Sequence, residues 1–114
     1  MRRVRDRLED VMVAIRLIER EAVGGRDLFV ANEMIQVWMV HHIQIIGEAI
    51  RAVSSELGEL DSATPWPQIV GMRHILVHDY FGIDLDEVWN VIERDIPSLR
   101  IAVERILADL STDI

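Results

Sequence analysis

The chain has 114 residues, half of them hydrophobic, with 20 acidic and 12 basic side chains and a net charge of −8. That length makes a single domain, residues 1–114, with enough apolar material for its own core, while the acidic balance argues against non-specific binding of a polyanion. The absence of cysteine excludes disulfides and thiolate metal sites, and the apolar runs stop well short of the ~20 residues of a membrane span; a cytoplasmic protein is expected.

The pattern is helical throughout, with no alternating strand segment. Val4, Leu8, Val11, Ile15, Ile18 and Ala22 recur at 3–4 spacing and predict a first helix from about Arg3 to Ala22. Gly24-Gly25 ends it. A second, long helix is predicted from about Asp27 to Leu57. Its middle, Met34 to Ile46, is apolar nearly all round, so every side of it must be covered. In so small a domain intramolecular neighbours hardly suffice, and a homodimer is inferred. Gly58 to Pro67 reads as a loop, because Gly58, Asp61, Ser62, Pro65 and Pro67 all disfavour helix.

A third helix is predicted over Trp66 to Phe81, with Gly82 as its terminator. Asp84, with Glu87 three residues on, starts a fourth. Leu85, Val88, Trp89, Ile92 and Ile96 form its buried stripe, and Pro97 kinks or restarts the chain. A last helix carries Leu99, Val103, Ile106, Leu107 and Leu110 inward. The fold expected is all-α, an antiparallel bundle of four to five helices.

The chemistry-bearing residues gather in Gly71 to Phe81, where Arg73, His74, His78, Asp79 and Tyr80 interrupt an otherwise apolar helix. Such groups are costly to bury unless paired or used. Arg73 and Tyr80 lie about two helical turns apart, so they share nearly one stripe, and His74 and His78 share a face at i, i+4. A fixed cation, an imidazole and a phenol at one helix end suit phosphodiester chemistry. The His74/His78 pair also has the spacing of helical metal sites, but the Glu of H-E-x-x-H is missing and no third ligand is near in sequence. No metal and no cofactor are expected. On the long helix, one of His41 and His42 is expected to face the bundle and the other the surface or a dimer seam. Gly47 there implies close helix contact or room for a neighbouring side chain, and Glu48 is a candidate partner for Arg73. Trp38, Trp66 and Trp89 read as packing residues, with base stacking on Trp66 as the minor alternative.

Arg73-x-x-x-x-His78-x-Tyr80 matches the R-x-x-x-x-H-x-Y signature of HEPN domains, the all-helical nucleotide-binding and ribonuclease fold of prokaryotes. More narrowly, the chain resembles the HepT-like toxins that pair with minimal nucleotidyltransferase antitoxins. Ile45-Ile46-Gly47-Glu48-Ala49 looks like that family's I-I-G-E-A element. Pro65 to Arg73 looks like its P-W-x-x-I-x-G-x-R, and Phe81 to Trp89 resembles the F-G-x-D-x-x-x-V-W that follows. The position after the arginine, often Asn in similar proteins, is His74 here, which opens part of the acid/base role to a second imidazole.

The resemblance implies the toxin of a type II or type VII-like toxin–antitoxin pair, a metal-independent endoribonuclease acting on RNA. His78 would move the proton at the 2′-hydroxyl or the leaving 5′-oxygen. Arg73 would hold the scissile phosphate, and Tyr80 would orient it. His74, Glu48 and Asp79 are candidates for support. Tyr80 would also be the residue that the nucleotidyltransferase partner modifies with AMP. HEPN sites usually lie at a two-fold interface, in keeping with the dimer inferred above. The alternative is a non-catalytic HEPN module that binds a nucleotidyltransferase or a nucleotide, which the acidic balance favours.

Overall fold

A computed structural model describes residues 2–75, 82 and 84–112, with the backbone alone at 73–75. Among the described residues every regular element is helical. The elements are α1 (Arg2–Ala22), α2 (Gly25–Ala31), α3 (Glu33–Ala52), α4 (Ser54–Leu60), α5 (Trp66–Ile75), α6 (Leu85–Asn90) and α7 (Ile96–Thr112), with a π-helical turn at Val91–Asp95 between the last two.

α1 is the middle layer. Its predicted stripe is buried as expected: Val4, Leu8, Val11, Ile15 and Ile18 are sealed from solvent, and Ala22 is half-buried. Hydrogen bonds to either side give the direction of its neighbours. The Trp38 indole donates to the Leu17 carbonyl and Arg3 donates to that of Ala52, so α3 runs antiparallel to α1. Arg5 donates to the Leu110 carbonyl and Arg100 pairs with Glu19, so α7 runs antiparallel to α1 as well. α5 packs against α3. The all-α class is as expected, and α1, α3 and α7 lie antiparallel to their neighbours as in a bundle.

The structure departs from the sequence expectation at four places. The long second helix is divided. Asn32 takes an extended conformation (φ −125°, ψ 104°) and its side chain accepts from the Ile35 N–H at 3.1 Å, which caps α3. The Gln36 amide then donates to the Phe29 and Val30 carbonyls, both at 3.0 Å, covering the open end of α2. A second break at Val53 (φ −129°, ψ 22°) separates α4. Gly58, expected in a loop, lies inside α4, and the chain leaves the helix at Asp61 instead. Finally, the helical backbone runs on through Pro97. α6, the π turn and α7 follow without a break, both Val91 and Ile96 being helical. Proline lacks the N–H and its ring crowds the carbonyl four residues back. The widened turn just before it, in which Ile96 N–H reaches Val91 O, relieves that crowding.

The remaining boundaries follow the sequence. α1 ends before Gly24-Gly25, and Gly25 takes φ +83°. Asp84 caps α6 by accepting from the Glu87 N–H at 3.1 Å. Gly82 adopts φ +129°, open to glycine alone. The end of the predicted third helix, residues 76–81, lies outside the described residues.

Candidate functional site

α5 carries the beginning of the predicted site, and the loop before it fixes where it starts. The Asp61 carboxylate accepts from the Thr64 hydroxyl at 2.6 Å and from the N–H groups of Ala63 and Thr64. The Thr64 hydroxyl, followed by those N–H donors and Arg105, holds its pKa below the ordinary carboxylate value, against the opposing effect of burial. The Trp66 indole donates to the Asp61 carbonyl at 2.8 Å, with the ring 2% exposed. Pro65 and Pro67 sit around the first turn, where a missing N–H costs nothing. Trp66, Ile69 and Met72 then form the inward stripe of α5.

A hollow beside Trp66, Pro67 and Val70 is completed by Ser54, Ser55 and Gly58, so α5 begins next to α4. Since α5 also packs on α3, it runs back along that helix. Arg73 and His74 belong to α5. His78, Asp79 and Tyr80 lie outside the described residues, and so does any contact between Arg73 and Glu48.

On α3, Gly47 is buried and Glu48 is exposed, 3.6 Å from Arg51. Glu48 lines an open groove of about 710 Å³ between α1 and α3, with Arg7, Asp10, Val13, His41, Gln44 and Ile45 also on its walls. The adjacent histidines divide as expected. His42 is 6% exposed, its Nδ1 lies 2.8 Å from the Trp38 carbonyl, and its ring centre is 4.5 Å from that of Trp38. His41 faces solvent, edge-on to His42.

The tryptophans are packing residues. Trp89 meets Phe29 at 5.4 Å between ring centres and donates to Glu93, and Arg20 lies over Trp38 at 5.2 Å. Burial of Trp66 removes the base-stacking alternative. Among the described residues no three His, Asp or Glu side chains converge as a metal site would require, and no helix is long and apolar enough to cross a membrane. The groove itself escaped sequence reasoning. Arg7 and Asp10, 3.1 Å apart, and the exposed Val13 line it, and none of the three was singled out in the sequence.

Comparison with known proteins supplies the class. The profile of the ribonuclease HepT-like family matches residues 11–106, which include the whole of the Arg73–Tyr80 cluster. A candidate RNase of Methanocaldococcus jannaschii is 38% identical over 76 residues, covering 67% of this chain and 70% of its own length. A candidate ribonuclease HepT of Thermococcus cleftensis is 34% identical over 104 residues, 90% of this chain and 94% of its own. A second M. jannaschii protein, named as a gamma-glutamylcyclotransferase and candidate RNase, is 35% identical over 104 residues; this chain spans 47% of its length. No solved structure matches. The chain belongs to the HepT-like ribonuclease family.

Proposed function

We propose that this protein is the toxin of a toxin–antitoxin pair and cleaves RNA as a metal-independent endoribonuclease. The observation that carries the reading is membership of the HepT-like ribonuclease family, whose match over residues 11–106 spans the segment that holds Arg73, His74, His78 and Tyr80. Arg73 holds the scissile phosphate through paired N–H donors and stabilises charge building on it. His78 takes the proton from the 2′-hydroxyl and returns one to the leaving 5′-oxygen. Tyr80 orients the phosphate, with His74, Asp79 and Glu48 in support. The protein acts in the cytoplasm as a homodimer. A minimal nucleotidyltransferase silences it by transferring AMP to Tyr80, which puts a phosphodiester where the substrate phosphate must bind.

The test is cleavage of RNA by the purified protein in EDTA. Activity should persist, and His78→Ala should lower it on the order of 10²-fold or more. Cleavage abolished by EDTA, or untouched by His78→Ala, refutes the mechanism.

A further inference from the structure

Gly58 lies inside α4, and nothing in the folded chain requires a glycine there. Its φ is not positive, and a methyl group on its Cα would meet no other atom within 4 Å. Glycine within a helix is less favourable than alanine, so the position carries a cost that neither backbone nor packing accounts for. What the missing side chain does is keep open the hollow between α4 and α5, of about 520 Å³. That falls within the ~300–1,000 Å³ of small-ligand sites.

The hollow has an apolar floor and a rim of hydroxyls. Pro67 and Val70 line it above the sealed Trp66, and Ser54, Ser55, Ser62 and Thr64 bring four hydroxyl groups. The Ser55 hydroxyl donates to Glu56 and that of Thr64 to Asp61, which leaves each with lone pairs to accept. Among the described residues those of Ser54 and Ser62 have no partner, so both can donate or accept. No charged side chain lines this hollow, whereas four others each hold a carboxylate, from Asp10 and Glu48, Asp6, Glu33 or Asp95. The neighbouring acids are engaged: Glu56 with Arg3 and Ser55, Asp61 with Ala63 and Thr64. On a chain of net charge −8, this is a surface that an anionic strand can approach.

Its place along α5 sets the occupant. Val70 precedes residues 73 and 74 by three and four positions, one helical turn or ~5 Å along the axis. Pro67, Val70 and His74 therefore fall on one row of the helix. We propose that the hollow takes one nucleoside of the RNA, beside the phosphate that Arg73 holds. The base lies on Pro67 and Val70, and its polar edge meets the hydroxyls of Ser54, Ser62 and Thr64. An uncharged floor and rim match an uncharged base with donors and acceptors at its edge, unstacked as in a single strand. The inference rests on the ribonuclease reading given above and adds where a flanking nucleoside binds.

The test is binding of a short labelled RNA, followed by fluorescence anisotropy in the His78→Ala background so that the strand stays intact. Gly58→Leu fills the hollow from an open position and favours α4. It should keep the helical circular dichroism and weaken binding at least tenfold. Ser62→Ala, in the exposed loop, should weaken it about three- to tenfold through one lost hydrogen bond. Gln68→Leu, exposed on another side of α5, should leave it unchanged. Because the contact is uncharged, the loss through Gly58→Leu should be the same at low and at high salt. With His78 restored, the same substitution should raise KM for cleavage while kcat changes little. RNA that binds the Gly58→Leu protein undiminished overturns the proposal and leaves the ribonuclease reading standing. A loss through Gln68→Leu as large as through Gly58→Leu overturns it too. A protein that neither binds nor cuts RNA overturns both readings. If Gly58→Leu spares RNA but blocks binding of the nucleotidyltransferase, the hollow belongs to that partner and the proposal fails.

Discussion

The Asp61 carboxylate closes the loop that aims α5, and the donors around it favour its charged form. Because its pKa is lowered on folding, its contribution to stability is fully present above the ordinary carboxylate value. It is lost as pH falls through the lowered one. Asp61→Asn should therefore lose less stability than the unaltered protein between pH 5 and pH 3, compared by urea melts across that range. Asn32 is the second such residue: Asn32→Ala should cost about 1 kcal/mol, because the Ile35 N–H loses its cap. At the site itself, Tyr80→Phe keeps the ring and removes the acceptor oxygen. Intact-mass spectrometry after incubation with the nucleotidyltransferase and ATP should show no AMP adduct on that variant. An adduct that moves to Ser54, Ser62 or Thr64 would refute Tyr80 as the switch.

Among elements, those with strong chemical punctuation were legible before the fold was seen. Gly24-Gly25 and Asp84 mark boundaries where the structure has them, because a positive φ and a side-chain cap each demand particular residues. Asn32 carried the same kind of signal, but the apolar periodicity runs through it undisturbed and hides the break. Val53 gave no signal at all; a buried β-branched residue is at home inside a helix. Gly58 misled in the other direction, since a glycine in a short exposed helix is tolerated at about 1 kcal/mol. Of the candidate site, the sequence placed Arg73 and His74 on a helix, where α5 has them; that α5 packs against α3 is a finding of the structure. The groove depends on how α1 and α3 lie side by side, and no one-dimensional pattern encodes that.

The whole molecule is held by its apolar layers. Leu8 is fully buried on α1, between α3 and α7, and Leu8→Ala should destabilise by ~2–5 kcal/mol through lost burial and a residual cavity. Arg100 bridges α7 to Glu19 of α1 and also donates to Glu104 at 2.8 Å, which raises its pKa. Both carboxylates and the guanidinium remain open to water, so Arg100→Ala should leave the thermal midpoint nearly unchanged. The same distinction explains the uneven coverage of α3. Its inner stripe of Met39, Ile43, Ile46 and Ile50 is sealed within the bundle, and Met34, Val37 and Ile45 on its outer side are exposed.

The π turn before Pro97 has a consequence for how the chain tolerates a change in length. A turn of this kind is what an α-helix becomes when one residue is added to it, so α6 and α7 carry a one-residue surplus between them. Deleting exposed Arg94 would return the segment to α-helical winding without turning Val88 or Val103 away from the core. The proline would then sit in a regular helix interior, at a cost of ~3 kcal/mol. Deletion of Arg94 alone should be destabilising, and adding Pro97→Ala should recover most of that loss. The surplus residue and the proline thus depend on each other, and a lineage shedding one should be free to shed both.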